Sequence, residues 1–270
     1  MLKEFFGYGG YAREAEGFLS WQHLTFVTLL MVCMVTLAVM FGIRNRKKSP
    51  QARNRVLMVS AILMDSLELF KIVLLCAMKN DWLEWLHHLP LYLCSIQMIT
   101  LPLAAFSRGR IKKAAIDFAC IFGIIGALLG TYGAGQNYAA YPVLSIDNVV
   151  SGLTHGIAGF ASLYILFTGM ESMEKRNLCI SCTIILSFSA IAYVINIYLD
   201  SNYMFLMRGD GTPYDILYNL VSGHAIWYPL GVIMLFFLYI ALFYGIYWRI
   251  RGKRALQECQ TIRTPCGFIG

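Results

Sequence analysis

Residues 24–43, LTFVTLLMVCMVTLAVMFGI, pass without one charged side chain. About 20 consecutive apolar residues are what a helix needs to cross the hydrocarbon core of a bilayer. Runs of this kind recur, and they constrain the fold more than any motif does. In hydrocarbon every backbone N–H and C=O must be satisfied internally, so only helices or a closed barrel can span. A barrel would show short alternating segments in place of long apolar runs. With 58% hydrophobic and 14% charged residues, the chain departs from the balance of both soluble domains and disordered segments.

The pattern predicts an all-α, polytopic membrane protein, a seven-transmembrane-helix bundle. The spans are read at about 20–43, 55–78, 89–107, 114–131, 148–169, 178–200 and 225–248. Residues 1–19 read as an interfacial segment on the outer side, 20–248 as the membrane domain and 249–270 as a basic cytoplasmic tail. The first segment lacks the basic start and small-residue cleavage site of a signal peptide. Basic residues crowd alternate loops: Arg44, Arg46, Lys47, Lys48, Arg53 and Arg55, then Arg108, Arg110, Lys112 and Lys113, then Lys175 and Arg176, then Arg249 and Arg251. The positive-inside rule therefore sets the N-terminus outside and the C-terminus in the cytoplasm. It also accounts for the net charge of +7 without nucleic acid.

Orientation turns position into depth. Cys94 falls roughly 8 Å and His155 roughly 10 Å below the outer ends of their spans, from a rise of 1.5 Å per residue. Gln97 lies one turn deeper than Cys94. Asp65, Glu68 and Lys71, spaced i, i+3, i+6, share one face of the second span, with Asp65 near mid-membrane. Asn196 lies a turn from the outer end of the sixth span, and His224 marks the outer start of the seventh. Ionisable groups in a span are costly and face a partner or a wet cavity. The three can clip helices together as a buried network, or they can wall a cavity open to the outer leaflet, lined further by Tyr92, Asn202 and His224.

Ser151, Gly152, His155, Gly156 and Gly159 form a small-residue stripe, and Gly123, Gly126, Ala127 and Gly130 offer a matching one, so the two helices can approach closely. A cysteine and a histidine at one depth suit a nucleophile and its base, in which imidazole removes the thiol proton and sulfur attacks an acyl carbon. The group that orients the imidazole stays open between Glu68, Asn196 and Asp147. Gln97 or Asn196 offers an amide donor for the developing oxyanion. Cys76 could instead pair with Cys94 in a disulfide. Cys179 and Cys182 read as small apolar residues or palmitoylation sites, and Cys259 and Cys266 as tail thiols. The five histidines lack the close paired spacing of a metal site, and neither a metal nor a cofactor is called for.

LPLYLCSIQ (89–97), THGIAGF (154–160) and NYMFL (202–206) resemble the YwaF family of bacterial integral membrane proteins, a likeness covering about residues 15–250. That family is similar to the animal transmembrane protein 164 family of acyltransferases. The resemblance implies transfer of fatty acyl groups between glycerophospholipids, with Cys94 as nucleophile, His155 as base, and a membrane phospholipid or lysophospholipid as substrate. It also implies a bacterial cell membrane. The family pattern carries histidine where this chain has Tyr92. The competing expectation is a non-enzymatic transporter or receptor-like protein that binds a solute on Asp65, Glu68 and Lys71.

Overall fold

The computed structural model describes residues 5–8 and 10–262, with side chains as far as residue 252. Cys259 and Cys266 lie outside the described side chains. Among the described residues the chain is helical, without strands. Helix α1 spans Trp21–Asn45, and Ser20 starts it by accepting a hydrogen bond from the His23 N–H. Helix α2 spans Pro50–Lys79, with Ser49 as its cap and Pro50 in the first turn, where a missing N–H costs nothing. Asn80 closes it in the left-handed conformation at φ 49°. A 3-10 helix at Trp82–His88 follows.

The remaining helices are α3, Gln97–Phe106; α4, Gly109–Tyr132; the short α5, Gly135–Ala140; α6, Ile146–Thr168; α7, Lys175–Leu199; α8, Tyr214–Leu220; and α9, Trp227–Ile262. Five stretches are long and apolar enough to cross a membrane: Trp21–Asn45, Gly109–Ala140, Ile146–Thr168, Lys175–Leu199 and Trp227–Gly252. The chain is therefore a multi-pass membrane protein. Helix α2 has the length, at 30 residues. Its charges, Asp65, Glu68 and Lys71 among them, keep it out of the apolar set.

The third expected span differs most from expectation. The span predicted at 89–107 carries Pro90 near its start, where proline suits a first helical turn, but α3 begins at Gln97 and has only 10 residues, about 15 Å of rise. Proline holds the preceding Leu89 extended, at φ −60° and ψ 148°. The Leu89 N–H is held by the Tyr203 hydroxyl at 3.2 Å, and Leu91 N–H turns back onto Leu89 O at 2.7 Å. Residues 90–96 consequently run as turns. Irregular backbone at membrane depth is tolerated where protein buries it or where it lines a cavity. At the other end of α3, Lys112 Nζ donates to Ala104 O at 2.8 Å and to Asn54 Oδ1 at 2.6 Å, a cation placed on the helix's negative terminus.

The bundle is organised around α4 and α6, the pair in most extensive contact. A Cβ on Gly123 would lie 2.5 Å from Ala158 O, so the backbones touch there and only glycine fits. Ser162 Oγ donates to Cys120 O across the same seam. Gly159 and Gly152 serve a different neighbour. Gly159 packs on Met34 as well as Ala127, and Gly152 packs on Leu30 and Phe26, so α1 closes onto α6 beside the seam.

Hydrogen bonds sort the helix termini into two ends. At the basic end Arg53 reaches Thr168 O at 2.9 Å and Arg110 reaches Glu174 at 3.2 Å. Buried Asp117 accepts from Ser172 N, Ser172 Oγ and Asn177 Nδ2. At the opposite end His23 Nε2 donates to Thr131 O at 3.1 Å, Tyr11 donates to Asp147 at 3.1 Å, and Tyr203 donates to Leu86 O at 2.6 Å. All five histidines belong to this second end or to the half of the bundle nearest it.

Candidate functional site

Cys94 stands in the turns just before α3, and His155 on α6 three residues beyond Gly152. Both pack on the glycine stripe of α4. A Cβ on Gly126 would lie 3.6 Å from Cys94 Cβ, and a Cβ on Gly130 would overlap the His155 imidazole outright. Positions four apart on a helix lie one above the other on one face. The missing side chains of Gly126 and Gly130 thus make one shelf, with the cysteine over its first turn and the imidazole over its second.

The thiol and the imidazole lie within range of side-chain hydrogen bonding to each other. His155 Nδ1 donates to Ser151 O at 2.6 Å. That bond fixes both ring orientation and tautomer, and leaves Nε2 with its lone pair for the thiol. Nε2 is buried and has no partner of full hydrogen-bond geometry. The contact between thiol and imidazole is correspondingly loose. The orienting group is therefore a backbone carbonyl one turn upstream, not Glu68, Asn196 or Asp147. Only the i−4 spacing of Ser151 could have pointed to it.

Glu68 and Lys71 form a salt bridge at 2.6 Å, with side chains 16% and 12% exposed. Glu68 stands close enough for its charge to act on both Cys94 and His155. Asp65, one turn away, is only partly buried, and its Oδ1 is buried without a partner. His88 belongs to the 3-10 helix. Burial and the charge of Lys71 push its imidazole below the ordinary value, while Glu84, 3.3 Å away, and Glu68 pull the other way.

The other sequence-predicted residues divide. Tyr92 packs its ring at a tilt against Tyr203, centroids 5.0 Å apart, and against Phe205 at 6.2 Å, two residues from Cys94. Gln97 is 2% exposed; its Oε1 accepts from Thr100 Oγ1 at 3.1 Å, and its Nε2 has no partner. The Asn196 amide is engaged at both ends, donating to Tyr203 O at 3.0 Å and accepting from Tyr203 N and Ser201 Oγ. Asn202 binds Arg208 O and Asp210 and accepts from Met207 N. These two asparagines fold the 201–210 loop, which in turn carries the Tyr203 clamp on Leu89. His224 lies apart from the site, exposed, with Nδ1 accepting from Ile226 N and Trp227 N at the start of α9.

Cys76 and Cys94 are both free thiols, as are Cys179 and Cys182. Among the described residues no group of three His, Cys, Asp or Glu side chains is arranged to hold a metal.

The sequence model of the TMEM164 family matches residues 18–247. The matched region takes in every helix from α1 to α8 and most of α9, with the whole cysteine–histidine shelf inside it. The chain belongs to the TMEM164 family. No curated protein and no solved structure matches it. Within this TMEM164 family member the match also includes the glycine stripe of α4 and the Asn196–Asn202 loop.

Proposed function

We propose that this TMEM164 family protein is a membrane lipid acyltransferase that moves a fatty acyl group between glycerophospholipids through a Cys94 thioester. The observation that carries the reading is the meeting of Cys94 with an imidazole whose far nitrogen is anchored on Ser151 O. The proposal includes seven crossings, with α2 and the interrupted α3 segment completing the five apolar ones. It sets the N-terminus outside and the basic end in the cytoplasm of a bacterial cell. Cys94 then stands near the ester carbonyls of the outer leaflet.

His155 Nε2 takes the thiol proton as Sγ attacks the ester carbon of a phospholipid, and the carbonyl electron pair moves onto oxygen. Collapse of the tetrahedral adduct breaks the bond to the glycerol oxygen, which leaves with the proton from Nε2. The acyl group remains on Sγ as a thioester. A lysophospholipid hydroxyl then loses its proton to Nε2 and attacks the thioester carbon; the thiolate leaves and is reprotonated. Water in place of that hydroxyl would make the same chain a hydrolase. The Glu68–Lys71 pair neutralises itself, which suits the wall of a lipid site better than the charged solute site of a transporter.

The test is acyl transfer in proteoliposomes, from phospholipid to a labelled lysophospholipid. Cys94→Ala and His155→Ala should each remove transfer while protein levels hold. Transfer that persists in Cys94→Ala would overturn the proposal.

A further inference from the structure

Attack on an ester places negative charge on the former carbonyl oxygen, and a low-dielectric site must meet that charge with preorganised donors. Gln97 and Asn196 are the two amides the sequence offers for this role, and their surroundings differ. Asn196 is tied down at both ends of its amide, one N–H given to Tyr203 O and its oxygen accepting from Tyr203 N and Ser201 Oγ. Gln97 is equally buried, at 2% exposed, yet its Nε2 donates to nothing. A buried amide left unpaired costs about 1–3 kcal/mol, so an orphaned donor on the residue three beyond Cys94 points to a ligand.

Direction favours the same residue. Gln97 is the first residue of α3, and helical side chains lean toward the N-terminus, which here is the turn holding Cys94. Thr100 Oγ1 donates to Gln97 Oε1 at 3.1 Å, and that bond holds the amide oxygen away and presents the NH2 group. The backbone contributes as well. Ile96 N–H is spent on Tyr92 O and Gln97 N–H on Cys94 O, whereas among the described residues the Cys94 N–H has no such acceptor. It lies at the positive end of α3, where the helix dipole favours an anion.

We infer that Gln97 Nε2 and the Cys94 backbone N–H form the oxyanion hole of this site, with Thr100 as the residue that positions the amide. This rests on the acyl-transfer reading above. The oxygen of an ester or thioester carbonyl is its ligand, in both the acylation and the deacylation step, and no group beyond the substrate is needed.

The experiment measures two rates on reconstituted protein: acyl transfer, and alkylation of Cys94 by iodoacetamide as a function of pH. Alkylation needs the thiol and the imidazole but develops no oxyanion. Gln97→Met keeps length and apolar contact. It should lower kcat about 10²- to 10³-fold, the effect of removing one such donor, with KM and the alkylation profile unchanged. Thr100→Val should lower kcat by a smaller factor, and Thr100→Ser should restore it. Wild-type kcat in Gln97→Met would overturn the inference and leave the acyltransferase reading standing. Should Gln97→Met fail to fold, Thr100→Val decides alone, and its wild-type kcat would overturn the inference. A wild-type protein that alkylates at Cys94 but transfers no acyl group would instead defeat the parent reading.

Discussion

Gly130 is the most demanding position to perturb, because its missing side chain is the space the His155 imidazole occupies. A Cβ there would overlap the ring of His155, so Gly130→Ala forces the ring to withdraw by roughly an ångström. Misplacement of that size costs about 10²-fold in rate, equivalent to about 2.7 kcal/mol of barrier. Stability should change less. Crowding a packed interior costs about 1–3 kcal/mol, and Gly-to-Ala in a helix returns up to about 1 kcal/mol. Gly126→Ala is the internal control: its Cβ would meet Cys94 Cβ at 3.6 Å, an ordinary contact. The assay is acyl transfer in proteoliposomes alongside thermal unfolding in detergent. The expected result is a folded, nearly inactive Gly130→Ala beside an active Gly126→Ala. Full activity in Gly130→Ala, or equal damage at both positions, would refute the shelf geometry.

Glu68→Ala strands Lys71 in a mostly buried position and should lower stability by about 3 kcal/mol. The Glu68→Ala/Lys71→Met double variant should recover most of that loss, and thermal unfolding of the four-member cycle checks it. Burial and Lys71 hold the His88 imidazole below its ordinary 6.5, so the folded form binds fewer protons. The stability this contributes is complete above pH 6.5 and lost as pH falls from there through the folded value. Burial raises the Glu84 carboxyl, but Lys79 and His88 outweigh it and hold the group below 4.5, which adds a second loss under that pH. Tryptophan fluorescence from Trp82 and Trp85 should show both steps, and His88→Gln should remove the upper one. For topology, single cysteines at the Arg46 and Arg208 positions should label from opposite sides of the membrane; labelling from one side would defeat the proposed orientation.

Much of the helical framework was legible because apolar length is local. The spans predicted at 20–43, 148–169 and 178–200 lie close to α1, α6 and α7, and the caps Ser20, Ser49 and Ser145 that start three of the helices emerged only with the structure. The small-residue stripes were legible too, although Gly152 and Gly159 turned out to face α1 as well. The start of α3 was not legible from Pro90. Its position depends on the Tyr203 hydroxyl holding Leu89 N–H across 114 residues, and no local pattern records such a bond. The same holds for Asn196, which read as an available donor, and Asn202, which read as cavity lining, until the 201–210 loop folds back and engages their amides. His224 is the opposite case: its ring serves the backbone two and three residues ahead, a short-range cap that depth alone cannot reveal. For Cys94 and His155, common depth and facing glycines were visible in the sequence, while the Ser151 carbonyl was hidden because every residue carries one.

The acyl-enzyme is the most direct test of the central claim. Protein in liposomes of a single phospholipid, without lysophospholipid acceptor, is quenched in acid and read by peptide mass spectrometry. The account expects one fatty acyl group on Cys94, released by neutral hydroxylamine as a thioester should be and discharged on adding lysophospholipid. His155→Ala should leave the thiol bare. Acyl transfer proceeding at wild-type rate with Cys94 never modified would contradict it.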